Sequence, residues 1–112
     1  MPSSQPVGLF GTLTRTNTLL VVHMLGESHA SEIARVLGIS LSQAQKALDS
    51  LERAGAVTGA DEGRARRVRI SPRYPFRDEL VNLLGRMATS ELELQDRLAE
   101  RRRRPRRSSK QL

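Results

Sequence analysis

The chain has 112 residues, 19 of them basic and 12 acidic, with no cysteine, one tyrosine, two phenylalanines and a formal net charge of +7. That length suits a single small core with a modest extension and leaves no room for a second catalytic domain. The missing cysteines exclude disulfides and thiolate metal sites, and the scarcity of aromatic rings argues against a stacking platform for unpaired bases.

The charge is unevenly placed. From Arg97 onward eight basic residues face Glu100 alone, so the preceding 96 residues carry 11 basic and 11 acidic groups. The body is therefore neutral overall, and its basic residues matter only where they cluster. The most apolar run, Leu19 to Val22, falls well short of a membrane span, and the opening MPSSQP lacks the charged start and apolar stretch of a secretion signal. A cytoplasmic location with no membrane partner is the expectation.

Residues 1–8, rich in proline and serine, are expected to form a disordered N-terminus. Thr14–Gly26, TRTNTLLVVHMLG, begins with threonines able to cap a helix and ends in a glycine suited to stop one. Leu19, Leu20, Val22, Met24 and Leu25 surround this helix rather than striping it, which predicts burial on two sides, one against the domain's own core and the other open to a second subunit. A short helix follows from about Ala30, with Ile33, Ala34 and Leu37 on one face and Gly38 at its end. Ser40-x-x-Gln43 is a capping box that opens a third helix, whose Ala44, Leu48 and Leu51 point inward before Gly55.

The period then changes. Val57, Val68 and Ile70 alternate with polar residues around Asp61-Glu62-Gly63, a turn sequence, and together predict a β-hairpin. Beyond Pro72 and Pro75 a long helical pattern covers 76–103, about 40 Å at 1.5 Å per residue. Leu80, Leu84, Met87, Leu94 and Leu98 fall at heptad positions of that helix and are candidates for dimerisation, the plainer alternative being a helix lying on its own domain. Residues 104–112 complete a basic, disordered tail.

Two helices, a tight glycine turn, a capped helix and a hairpin, spanning 9–75, are the plan of a winged helix-turn-helix, mainly α with a small β-hairpin wing (α+β) and a long C-terminal helix. SEIARVLGISLSQAQKALDSLERAGAV resembles the core of bacterial and archaeal ArsR/MarR-type transcription regulators, with Ala34, Gly38, Ser40, Leu51 and Ala54-Gly55-Ala56-Val57 at the positions that those families share. The resemblance covers about Leu9 to Phe76. It implies a cytoplasmic, bacterial or archaeal regulator that binds sequence-specific sites on double-stranded DNA as a homodimer.

Outward positions on the third helix supply candidate base readers. Gln43 and Gln45 can pair bidentately with adenine, Lys46 can reach guanine or phosphate, and Ser42 can bond either. Leu41 and Asp49 also point outward, and Asp49 either accepts from cytosine N4 or pairs with Arg53 at i+4. Ser40, Arg53, Arg64, Arg66, Arg67 and Arg69 are candidates for phosphate or wing contacts. From Arg64 to Arg77 there are six arginines and no acidic residue. The tail, ERRRRPRRSSKQL, reads as an auxiliary phosphate contact. His23 is assigned to packing and His29 to a turn or cap. No nucleophile with a base, phosphate-binding glycine loop or zinc spacing is present, so neither enzyme activity nor a cofactor is expected, and the sequence leaves any small-molecule effector unspecified. The alternative is a winged-helix protein-interaction module.

Overall fold

The computed structural model describes residues 7–63, 65–90 and 96–100. The chain runs β1 (Val7–Gly8), β2 (Gly11–Thr12), α1 (Leu13–Leu25), α2 (Ala30–Leu37), α3 (Leu41–Arg53), β3 (Val57–Glu62), β4 (Ala65–Ile70) and α4 (Arg77–Thr89). Residues 96–100 are helical again. β1 pairs antiparallel with β2, and β3 with β4. The expected winged helix-turn-helix is present, helical for the most part with β3 and β4 as the wing.

Helix α1 is the centre of the packing. It starts earlier than its threonine run suggested, because Thr12 is the cap: its Oγ1 accepts from the Arg15 N–H at 3.1 Å. Val7 and Gly8 do not belong to a disordered terminus, since they pair with Thr12 and Gly11, and the adjoining Phe10 N–H donates to Thr16 Oγ1 on α1 at 3.0 Å. Leu19, Leu20, Val21 and Val22 are each no more than 1% exposed. Both sides of α1 are thus covered within one chain, with α2, α3, α4 and β4 all in contact with it.

The turn between α2 and α3 sets the angle at which the third helix stands out. Gly38 ends α2 in the left-handed region, at φ 70° and ψ 35°, which a residue with a Cβ adopts at a cost. Two residues later the capping box forms as expected: the Gln43 N–H donates to Ser40 Oγ, and the Ser40 N–H donates to Gln43 Oε1, both at 3.0 Å. Ala34 is buried in the shared core beside Ile33, Ala44 and Leu48.

The wing is tied back to the helices by a third, single-residue strand. Ser28, between α1 and α2, bridges Val68 through two backbone bonds of 3.0 and 2.8 Å, and its hydroxyl donates to Glu32 Oε1 at 2.7 Å. Asp61 and Glu62, read from the sequence as turn residues, are paired strand residues opposite Arg66 and Ala65. The reversal is carried by Gly63, at φ 62°. A turn this short lets the strands pair up to its edge, so the acidic side chains stand on the wing rather than at its tip.

The helix expected to run unbroken over 76–103 ends at Thr89. There the Thr89 and Ser90 hydroxyls donate to the carbonyls of Arg86 and Met87 at 2.8 and 3.0 Å, and the Ser90 N–H also returns to Met87. Side-chain hydroxyls of this kind compete with the helical ladder. The heptad residues are correspondingly not a free seam. Leu80, Leu84 and Leu98 are buried in the chain's own core, with Met87 packed against it, and the Arg97 guanidinium donates to the Val36 carbonyl of α2 at 3.3 Å. Within the single chain these residues lie on their own domain. Leu94 and the basic tail lie outside the described residues.

Truncating this inner face tests the arrangement. Leu84→Ala and Leu98→Ala should each lower unfolding free energy by about 2–5 kcal/mol in urea titration, as buried leucines do. The loss at Leu98 should be the same across a hundredfold range of protein concentration. A loss that grows on dilution would place Leu98 between subunits instead.

Candidate nucleic-acid interface

Helix α3 divides cleanly into an inner and an outer face. Ala44, Ala47, Leu48 and Leu51 are buried, while Ser42, Gln43, Gln45, Lys46 and Asp49 are exposed. All four candidate base readers therefore stand on one polar face, held by the turn and by the capping box at its N-terminal end. The cap also restricts one of them: Gln43 Oε1 is taken by Ser40, which leaves its amide NH2 as the free group. Asp49 does not pair with Arg53, and neither makes an ion pair among the described residues.

The stretch from Arg64 to Arg77 holds no acidic residue, yet Arg66 and Arg67 are each held by two carboxylates from elsewhere in the fold. Arg66 pairs with Glu52 in the last turn of α3 and, at 3.2 Å, with Asp61 directly across the hairpin. Hydrogen bonds to Glu52 first, and then to Asp61, raise its guanidinium above its ordinary value. Arg67 donates through Nε to Glu27, after α1, at 3.0 Å and lies 3.7 Å from Glu62. The two arginines differ in what they keep. Arg66 donates through both terminal nitrogens, whereas Arg67 donates through Nε and its two terminal nitrogens make no hydrogen bond among the described residues.

Gly59 explains how Arg66 reaches α3. A Cβ at Gly59 would come within 2.8 to 3.1 Å of the Arg66 guanidinium, so the side chain lies flat across bare β3 backbone on its way to Glu52. Between α3, the start of α2 and the wing is a hollow of about 620 Å³, lined among others by Leu41, Gln45, Asp49, Glu52 and Arg66. Arg69 stands apart from this face, lining a second hollow formed with α1 and α4. Arg64 lies outside the described residues.

The family model described as sugar-specific transcriptional regulator TrmB matches residues 16–73, more than half of the chain. The chain belongs to the TrmB family.

In fold, this TrmB-family domain is similar to the adhesin competence repressor AdcR of Streptococcus pyogenes, at 17% identity over 80% of this chain and 66% of AdcR, with TM-score 0.58. It is also similar to FabT of Streptococcus pneumoniae, solved in complex with DNA, at 17% identity over 72% of this chain and 57% of FabT, with TM-score 0.58. A third is the homodimeric winged helix-turn-helix DNA-binding domain Mb0332 of Mycobacterium bovis, at 28% identity over 71% of each chain and TM-score 0.55. The chain spans about two thirds of AdcR's length and little more than half of FabT's. A search of curated proteins finds no match.

Sequence reasoning missed Glu27, Glu52 and Gly59 in this TrmB-family domain. Glu52 and Glu27 lie 14 and 40 residues from the arginines that they hold, beyond the reach of any local charge count. The glycine at 59 in an otherwise regular strand was the one visible signal, since such a glycine often marks a close approach.

If the carboxylates hold Arg66 away from phosphate, neutralising the nearer one should free it. Glu52→Gln is expected to tighten binding to any duplex about three- to tenfold in fluorescence anisotropy at moderate salt. Weaker binding would mean that the Glu52 pair is needed to shape the wing.

Proposed function

We propose that this TrmB-family domain is a sequence-specific regulator of double-stranded DNA, with α3 in the major groove and the wing on phosphates or in the minor groove. The observation that carries the reading is the outer face of α3, where Ser42, Gln43, Gln45 and Lys46 are exposed together while the opposite face is buried. Polar side chains at the start of a projecting helix are placed to meet base edges in a groove about 12 Å wide. Arg67, whose two terminal nitrogens make no hydrogen bond among the described residues, is the better phosphate contact of the wing pair; Ser40 and Arg53 flank the helix at its two ends, and Arg64 would add to the wing. No residue is given a catalytic role, and none a cofactor or metal. The setting is the cytoplasm of a bacterium or archaeon.

Binding as a homodimer belongs to the same reading. Two copies related by a two-fold axis would meet half-sites about 34 Å apart or a multiple of it. Because Leu80, Leu84 and Leu98 face inward, the apolar surface available to a second copy is different: Leu9, Leu13, Phe76 and Leu83 are 40 to 63% exposed. Mb0332 is a homodimer of similar fold. The second reading, a protein-docking module, draws on the four carboxylates that neutralise Arg66 and Arg67.

Mobility shifts on duplexes selected from a random library separate the two. Gln45→Ala and Gln43→Ala should mainly reduce preference between sequences, and Arg67→Ala should weaken every duplex, with a smaller loss for Arg66→Ala. Deleting residues 101–112 should flatten the salt dependence and leave site preference intact. Unchanged affinity in all four point variants would remove the DNA reading, and sedimentation of a single copy at micromolar concentration would remove the dimer.

A further inference from the structure

The second hollow, on the side of the domain where α1 ends and α4 begins, has a composition that the DNA reading does not use. It measures about 320 Å³ and is lined by Val22, Ile70, Pro72 and Val81, with His23, Arg69, Arg77 and Gly26. Its walls are aliphatic, its polar side chains are all nitrogen bases, and no carboxylate lines it. Arg69 makes no ion pair among the described residues, unlike Arg66 and Arg67 on the same strand. Among the described residues Arg77 makes an ion pair with Asp78 alone, at 3.4 Å and at an exposed position. His23 has no hydrogen-bond partner among the described residues, and α4 comes close to its ring at Gly85, where a Cβ would lie 3.7 Å from Nε2. Partial burial lowers its pKa, so near neutral pH it offers one N–H and one acceptor nitrogen.

We propose that this hollow binds a small carboxylate with an aliphatic body, its carboxylate between the Arg69 and Arg77 guanidinium groups and its body against Ile70, Pro72 and Val81. Guanidinium groups suit a planar carboxylate through paired N–H donors, and a cavity of this size holds a ligand of about ten heavy atoms. The same residues make the site a point of leverage. Val22 and His23 belong to α1, Arg69 and Ile70 to the wing strand β4, and Arg77 and Val81 to α4, so an occupant would tie the wing to the C-terminal helix. The proposal stands whether or not the chain reads DNA.

The test is a titration of the full chain with cyclohexanecarboxylate, followed by amide NMR at constant ionic strength. Saturable shifts are expected at Gly26, Ile70 and Val81, absent with the neutral cyclohexanecarboxamide and with inorganic phosphate, and weakened about tenfold or more in both Arg69→Gln and Arg77→Gln. The spectra themselves report that each variant is folded. Shifts that do not saturate, that phosphate or the amide reproduces, that lie elsewhere, or that survive both substitutions would overturn the site.

A different observation carries a second inference, which rests on the DNA reading. Leu41, the first residue of α3, is 49% exposed on a face that is otherwise polar. It lines the hollow beside the wing together with Gln45, one turn along the same face. We infer that Leu41 contacts the 5-methyl group of a thymine, the one apolar group that the major groove offers, next to an adenine bonded by Gln45. Replacing thymine by uracil removes that methyl and nothing else. In the selected site, a uracil walk should reveal at least one position where affinity falls about three- to fourfold, the scale of one buried methyl. Leu41→Ala should abolish the difference. Specific binding with no uracil effect, or an effect that persists in Leu41→Ala, would overturn this assignment alone, whereas failure to bind any duplex would overturn the DNA reading with it.

Discussion

Four consecutive residues, Leu19 to Val22, have to leave water together, and the rest of the fold is arranged around that requirement. Successive helical residues are turned by about 100°, so four in a row point almost all the way around the axis. Each buried leucine or valine contributes about 1.5–3 kcal/mol relative to exposure, which makes an open side on α1 costly. The two helices of the helix-turn-helix cannot enclose it alone. The strand β4 and the helix α4 complete the enclosure, and that is why the wing and the C-terminal segment pack against the same helix.

This enclosure decides which surfaces remain for partners. Once α4 and the segment around Leu98 are drawn onto α1 and α2, the apolar positions that looked like a coiled-coil seam become core. What stays outside is the polar face of α3, the wing, and a scatter of apolar residues at Leu9, Leu13, Phe76 and Leu83. The charge follows a similar rule. The ion pairs among the described residues engage Arg66, Arg67 and Arg77, and Lys46, Arg53 and Arg69 are among the cations that they leave over.

The fold was legible in the sequence because its signals are local. The capping box at Ser40 and Gln43, the glycine at 38 and the alternation through Val68 and Ile70 each depend on residues a few positions apart, and each appears where the spacing placed it. The polar face of α3 was legible for the same reason, since helical period alone sorts its residues. The end of α4 was less so. Thr89 and Ser90 are compatible with a helix by pattern, and only their hydroxyl bonds to Arg86 and Met87 show the competition that stops it. Least legible was the state of the wing arginines, because their partners arrive through the tertiary fold.

Those partners give the interface its stiffness. At one end α3 is fixed by its capping box, and at the other Glu52 reaches Arg66 on the wing across the bare backbone of Gly59. The wing is fixed in turn to the loop between α1 and α2, by the Ser28–Val68 bridge and by Arg67 on Glu27. Exposed ion pairs of this kind are worth only about 0–1 kcal/mol each, so they are poor as stabilisers and easily exchanged. Their value is geometric: they hold long side chains near the positions from which a phosphate could take them over. A phosphate that does so replaces one carboxylate contact with another anionic one, and the ordering of the arginine has already been met in the free protein. Helix α3 and the wing are thereby joined as one unit, and under the proposed reading they would meet DNA in that form, with the carboxylates setting how much phosphate charge is needed to release the arginines.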